Sequence, residues 1–126
     1  MLLLNSVGMC IRAPVLRSIG PSLIAEALRA IYCTVLDENA LLATAERLFN
    51  LEHLFNLERG MTVEEFRFPE RFYRESVKFT GGERPPLDRD EIERLLQRYF
   101  NLRGWDARAQ VSEETLKRLG IEPWKN

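Results

Sequence analysis

One short segment near the N-terminus, Asn5–Cys10, has residue types and spacing that fit a metal or cofactor site. Gly8 lets the backbone bend, and a glycine-containing loop can bring main-chain amides close to an anion or a cofactor. Cys10 follows two positions later and offers a thiolate, which can ligate a soft metal centre. From the residues alone, the alternative is an apolar N-terminal segment with a buried cysteine.

Other candidate groups are weaker, and no catalytic residue is predicted from them. His53 is the only histidine, and a lone histidine on a helix is usually structural or exposed. The adjacent pairs Glu64–Glu65 and Glu113–Glu114 point apart on regular secondary structure, and the second pair suits the first turn of a helix. The arginine-aromatic run Arg98–Trp105 is reminiscent of base stacking, but the apolar position of Tyr99 favours core packing.

Composition excludes several classes of protein. The 126 residues, with a mass of 14.7 kDa, predict a single domain over residues 1–126. The 18 basic and 19 acidic residues give a net charge of -1, which argues against nucleic acid as a partner and against a polybasic membrane binder. No apolar run approaches the ~20 residues of a membrane span, and the apolar start is too short for a signal peptide.

The two cysteines limit the redox and metal chemistry of the chain. Cys10 and Cys33 cannot form a disulfide framework or complete a four-cysteine metal site within one chain. Cysteine usage and the lack of a signal peptide together predict a reducing, cytoplasmic location.

Hydrophobic periodicity predicts an all-α fold with three main helices. Ser22 is a candidate N-cap for a helix over about 22–33, and Asp37 for a helix over about 38–58 that stops at Gly60. Asp88 begins the third helix and Gly104 ends it. A short last helix runs from Ser112 to Leu119. The apolar stripes place five residues in the predicted core: Leu48, Phe55, Leu95, Leu96 and Tyr99.

The region between the second and third helices is rich in aromatic residues. Short strands are possible at 63–68 and 75–80, but we favour an aromatic-anchored loop with one helical turn near 69–74. Gly81–Pro86 is predicted to be an exposed turn. The expected architecture is therefore a compact domain of three main helices, short accessory helices and this loop.

Three stretches together resemble the C-terminal domain of the tungsten-containing aldehyde ferredoxin oxidoreductases. Ala45–Gly60 resembles a family helix, and Phe68–Phe72 resembles the family's "LPERFF". Leu95–Asp106, with Thr115-Leu116 and Leu119-Gly120 behind it, resembles the family's closing "YYELRGWD" segment. The resemblance covers most of residues 40–126.

The resemblance implies a role for the N-terminal segment. Family members have a "DSLGLC"-like loop whose cysteine is a ligand of a [4Fe–4S] cluster and which lies against a pterin of the tungsten cofactor. Cys10 then matches the cluster ligand, Gly8 the loop glycine and Asn5 a pterin-facing residue, although the family has Asp at that position. Cys33 matches no ligand, and His53 stands where the family often has Arg.

The implied function is that of a domain or subunit that is inactive alone. The other three cluster cysteines and the pterin-binding N-terminal part are absent, so this chain by itself is expected to bind neither cluster nor tungsten–bis-pterin. The implied partners are that missing part and, for the assembled enzyme, ferredoxin. The alternative function is a free-standing helical interaction domain that has lost its redox role. For the apolar N-terminus, the sequence predicts either mobility or burial against a second copy in a homo-oligomer.

Overall fold

The computed structural model describes Gly8 and residues 19–122, and within that part the chain is mostly helical. The three main helices confirm the predicted all-α class. In chain order, the helices are α1 (Pro21–Tyr32), α2 (Glu38–Glu58), α3 (Arg71–Arg74), α4 (Arg89–Arg103) and α5 (Glu113–Leu119). Between α2 and α4 lie a 3₁₀ turn, Val63–Phe66, and a hairpin of β1 (Val77–Phe79) and β2 (Gly82–Arg84). No described helix is long and apolar enough to cross a membrane.

The described residues divide into two compact units. The first holds the residues up to His53 together with those from Lys117 onward, and the second is Leu54–Leu116. That residues 1–126 form one domain stays a prediction.

Three of the predicted helix starts are confirmed by their capping hydrogen bonds. Each capping side chain accepts a hydrogen bond from the backbone N–H three residues ahead, which satisfies a donor that has no partner inside the helix. The distances are 2.7, 3.1 and 3.2 Å at Asp37, Asp88 and Ser112 respectively.

The predicted start of α1 at Ser22 is wrong by two positions. The N-cap is Gly20, and Pro21 occupies the first helical turn, where its fixed φ and missing N–H are no disadvantage. Ser22 lies inside the helix, and its hydroxyl donates a 2.6 Å hydrogen bond to Oε2 of Glu38.

The region 61–87 follows the favoured prediction only in part. The predicted helical turn is present as α3, and residues 63–66 form a 3₁₀ turn rather than a strand. The predicted exposed turn Gly81–Pro86 is correct in its exposure and at Gly81 but wrong for Gly82–Arg84, which pairs with Val77–Phe79 in antiparallel register. The alternative of a short strand within 75–80 is thereby confirmed. Gly82 has φ +145°, which glycine tolerates, so the chain can turn tightly enough to pair.

The core of the first unit is small and apolar. Ile24, Ala25 and Leu41 are each only 2% exposed, and partly buried apolar residues pack around them: Ile19, Leu28 and Leu36. Asn50 and His53 are also buried on α2, and the amide of Asn50 donates to the carbonyl of Glu46 at 3.0 Å.

The predicted core is wrong for three of its five members. Leu48, Phe55 and Leu95 are 39%, 55% and 52% exposed, while Leu96 and Tyr99 are half-buried. The buried residues of the second unit are instead Phe100, Trp105, Ala109 and Thr115. Helical periodicity identifies which residues share a face, but it does not decide which face meets the core.

Candidate functional site

Gly8 is the one member of the predicted cofactor loop that the structure describes. Its φ is +73° and it is exposed. This left-handed conformation is strained for residues with a side chain, so a glycine is favoured where the loop bends this way. Asn5 and Cys10 lie outside the described residues, and their predicted roles remain predictions.

The described part of the chain offers no complete metal site. Gly8 and residues 19–122 contain no group of three His, Cys, Asp or Glu side chains placed to hold a metal ion. Cys33 is exposed and ends α1, where its N–H donates to the carbonyl of Arg29 at 2.9 Å. A [4Fe–4S] cluster takes four thiolates and the sequence has two cysteines, so these residues fit at most part of a cluster.

A charged cleft of about 610 Å³ lies in the second unit. Two arginines cross it and are held by carboxylates. Arg67 binds Glu93 at 2.8 Å and Glu64 at 2.5 Å, and Arg89 binds both oxygens of Glu70 at 2.7 and 2.8 Å. The complete lining is Glu64, Arg67, Phe68, Pro69, Glu70, Arg89 and Glu93.

The electrostatics of this cleft favour a structural role for its ion pairs rather than acid-base catalysis. The hydrogen bond from Arg89 lowers the pKa of the Glu70 carboxyl, whereas a general acid needs a raised value. The same contact raises the pKa of Arg89, and the hydrogen bond to Glu64 raises that of Arg67. The carboxylates and guanidinium groups of the cleft therefore mainly neutralise one another. Sequence reasoning missed this cleft, since only the i, i+3 spacing of Glu64 and Arg67 is visible locally.

The segment around Trp105 is an interlocked aromatic cluster. Phe66 meets Phe100 edge-on at 5.1 Å between ring centroids and Trp105 at 5.9 Å. Tyr99 also meets Trp105 edge-on, at 5.8 Å. Phe100 and Trp105 are buried, so the preference for core packing over base stacking is confirmed for Trp105.

Gly104 closes α4 at a point where no side chain fits. It has φ +72°, and a Cβ there would lie 2.0 Å from Oγ1 of Thr115. The Thr115 hydroxyl donates to the Gly104 carbonyl at 3.2 Å, and the Ser112 N–H donates to the same carbonyl at 2.9 Å. The start of α5 is thereby fixed to the end of α4.

Asp106 holds the loop that follows Trp105. Its Oδ1 accepts hydrogen bonds from the N–H groups of Arg108 and Gln110, both at 2.8 Å. Its own N–H donates to the carbonyl of Gln110 at 2.8 Å. The arrangement lets Ala109 adopt φ +60° while completely buried. Gly104, Trp105 and Asp106 therefore each have a structural role.

Comparison with known proteins identifies the class to which this helical chain belongs. The family described as "Aldehyde ferredoxin oxidoreductase, domains 2 & 3" matches residues 1–121, nearly the whole sequence. The chain belongs to the aldehyde ferredoxin oxidoreductase family.

One relative is the tungsten-containing aldehyde ferredoxin oxidoreductase of Pyrococcus horikoshii. It is 33% identical to this chain over 82 residues, which are 64% of this chain. The matched segment is only 13% of the relative's length. This chain therefore corresponds to a small part of a much larger protein.

Proposed function

We propose that this chain is the C-terminal domain or subunit of an aldehyde ferredoxin oxidoreductase-like enzyme and is inactive alone. It would cap the cofactor cleft formed by the pterin-binding part of the enzyme and supply one cysteine of a [4Fe–4S] cluster. When bound in that enzyme, the tungsten–bis-pterin group oxidises an aldehyde to a carboxylic acid, and the electrons pass through the cluster to ferredoxin. The assembled enzyme would work in the cytoplasm.

The observation that supports this proposal most is the extent of the family match. It begins at residue 1 and so includes Asn5–Cys10 as well as the helical segments. The left-handed backbone of Gly8 is what a bent cofactor loop requires.

The proposal gives each loop residue a separate task. Cys10 would contribute its thiolate as one cluster ligand, with the other three supplied by the rest of the enzyme. Gly8 would allow the close approach of the backbone. Asn5 would face the pterin with one carbonyl acceptor and an NH₂ donor, where a carboxylate would offer only acceptors.

A second candidate function is a helical interaction domain without a redox role. The amide at Asn5, in place of a carboxylate, favours it. The two candidates differ in one measurable property, namely whether Cys10 holds iron when the rest of the enzyme is present.

Iron analysis tests the proposal. The probe is the Pyrococcus horikoshii enzyme expressed without its whole region equivalent to this chain, including its own counterpart of Asn5–Cys10, hereafter the shortened relative. We expect the chain alone to carry no stoichiometric iron, and its complex with the shortened relative to carry about four irons. Cys10→Ser should remove most of that iron, while the matched control Cys33→Ser should leave it unchanged. Full iron content in the Cys10→Ser complex would reject the cluster-ligand role and leave the second function.

A further inference from the structure

Helix α4 presents an apolar stripe that its own unit leaves largely uncovered. Leu95, Tyr99 and Leu102 are spaced i, i+4 and i+7, which places them on one side of the helix. Leu95 is 52% exposed and Leu102 is 76% exposed, while Tyr99 is half-buried. We call these three residues the α4 stripe. Side chains of this size in a contiguous row are typical of an interaction surface.

The α4 stripe rests on a rigid base. The Tyr99 ring meets the buried Trp105 edge-on, and the Arg103 guanidinium lies 5.3 Å from the Tyr99 centroid. Asp88 and Gly104 cap the two ends of the helix. The helix backbone and the Tyr99 ring are therefore held in place before any partner binds, which lowers the entropic cost of association.

The charge next to the α4 stripe indicates what a partner must carry. Arg98 lies between Leu95 and Leu102 along the helix and is exposed. Among residues 19–122, no carboxylate lies within 4.0 Å of its guanidinium. A partner that covers the leucines would bring this cation into a less polar environment, so it would need a carboxylate opposite Arg98.

We propose that the α4 stripe docks in an apolar groove of the enzyme part that lies outside these 126 residues, with a carboxylate of that part facing Arg98. The inference rests on the proposed function and names the surface by which the chain joins its partner. The binding mode is that of a helix in a groove, with anchors at i, i+4 and i+7. The matched segment is 13% of the relative's length, so most of such an enzyme lies outside this chain.

A second copy of the chain is a poorer occupant on charge grounds. An antiparallel pairing that sets Leu95 against Leu102 of the copy would set Arg98 against Tyr99, and Arg94 against Arg103. No carboxylate would then face Arg98, and two arginines would oppose each other. The enzyme part outside this chain is not restricted to the residues of α4, so it can place a carboxylate opposite Arg98.

Binding of the shortened relative tests this surface, measured by calorimetry at low and high salt. The deleted segment of that relative, supplied in trans, establishes that the shortened relative can bind. We expect the double variant Leu95→Asp/Leu102→Asp to bind about thirtyfold more weakly or worse, as for central anchors of an interface. Arg98→Glu should weaken binding about tenfold and reduce its salt dependence. Leu23→Asp is the matched control, since Leu23 is 53% exposed on α1, and it should bind normally.

Each other result overturns the proposal in a distinguishable way. Normal binding by the double variant and by Arg98→Glu rejects this surface but leaves the proposed function intact. Failure of the natural chain to bind, when the deleted segment does bind, rejects both. Self-association that is lost in the double variant assigns the α4 stripe to a second copy. Thermal melts of the variants verify folding, and if the double variant unfolds, Arg98→Glu alone decides.

Discussion

The Trp105 segment (Tyr99–Thr115) and the β1–β2 hairpin both carry aromatic side chains, yet they differ in how the chain holds them. Trp105 and Phe100 are buried, and Gly104, Asp106 and Thr115 make hydrogen bonds that fix the neighbouring backbone. In the hairpin every strand residue is exposed. Its register places Val77, Phe79 and Arg84 on one face and Lys78 with Glu83 on the other.

The difference shows which sequence features specify this fold and which remain available for other roles. In the Trp105 segment, burial, backbone conformation and hydrogen bonding all require the same residues, so several independent interactions specify its structure. In the hairpin, the pairing and a cation–π contact between Arg84 and Phe79 are the main stabilising features, and two-stranded hairpins are only marginally stable. Substitutions should therefore have unequal effects in the two regions.

The largest expected effect is the loss of the central aromatic ring. Trp105→Ala should lower the free energy of unfolding by about 3–5 kcal/mol, because it leaves a cavity beside Phe66, Tyr99 and Phe100. The matched substitution Phe79→Ala removes an exposed ring and should cost less than about 1 kcal/mol. Urea denaturation measures both. Equal losses would mean that the hairpin is as tightly held as the Trp105 segment.

An intermediate effect is expected at the end of α4. Gly104→Ala should cost about 2–4 kcal/mol, since the new Cβ both clashes with Thr115 and occupies a left-handed backbone. Gly120→Ala separates the clash from the backbone strain. Gly120 also has a left-handed backbone, with φ +60°, but a Cβ there would meet open space, so this substitution should cost only about 1 kcal/mol. Adding Thr115→Ala to Gly104→Ala should recover part of the loss. If Gly104→Ala melts like the Gly120 variant, the contact with Thr115 is unimportant.

The smallest expected effect lies in the charged cleft, which belongs to the same unit as the hairpin. Arg89 lowers the pKa of Glu70, so this ion pair stabilises the fold above the pKa that Glu70 has in the unfolded chain. That contribution should fade as the pH falls through the folded-state pKa, from about pH 5 downward. Melting temperatures of the natural chain and Glu70→Gln should therefore converge on acidification. Glu75→Gln is the control, and the hypothesis fails if its melting curve shows the same pH dependence.

Local chemistry explains why the helix ends were predictable. Asp37, Asp88 and Ser112 cap helices through neighbouring backbone N–H groups, and Gly104 and Gly120 end them in left-handed conformations. These are interactions over a few residues, so the sequence contains all of their determinants. The start of α1 was misplaced because Gly20 with Pro21 satisfies the same requirement as a serine cap.

The sequence by itself determined the helical class, most helix ends and the family resemblance, because capping, periodicity and motif wording are local properties of the chain. Only the tertiary structure decided which helical face is buried, how Glu70 reaches Arg89 across 19 residues, and why Gly104 must lack a side chain. The free energy of each of those choices depends on side chains that are distant along the chain and meet only after folding. For the same reason, exposure of the α4 stripe was invisible in its periodicity, which a buried and an uncovered helix share.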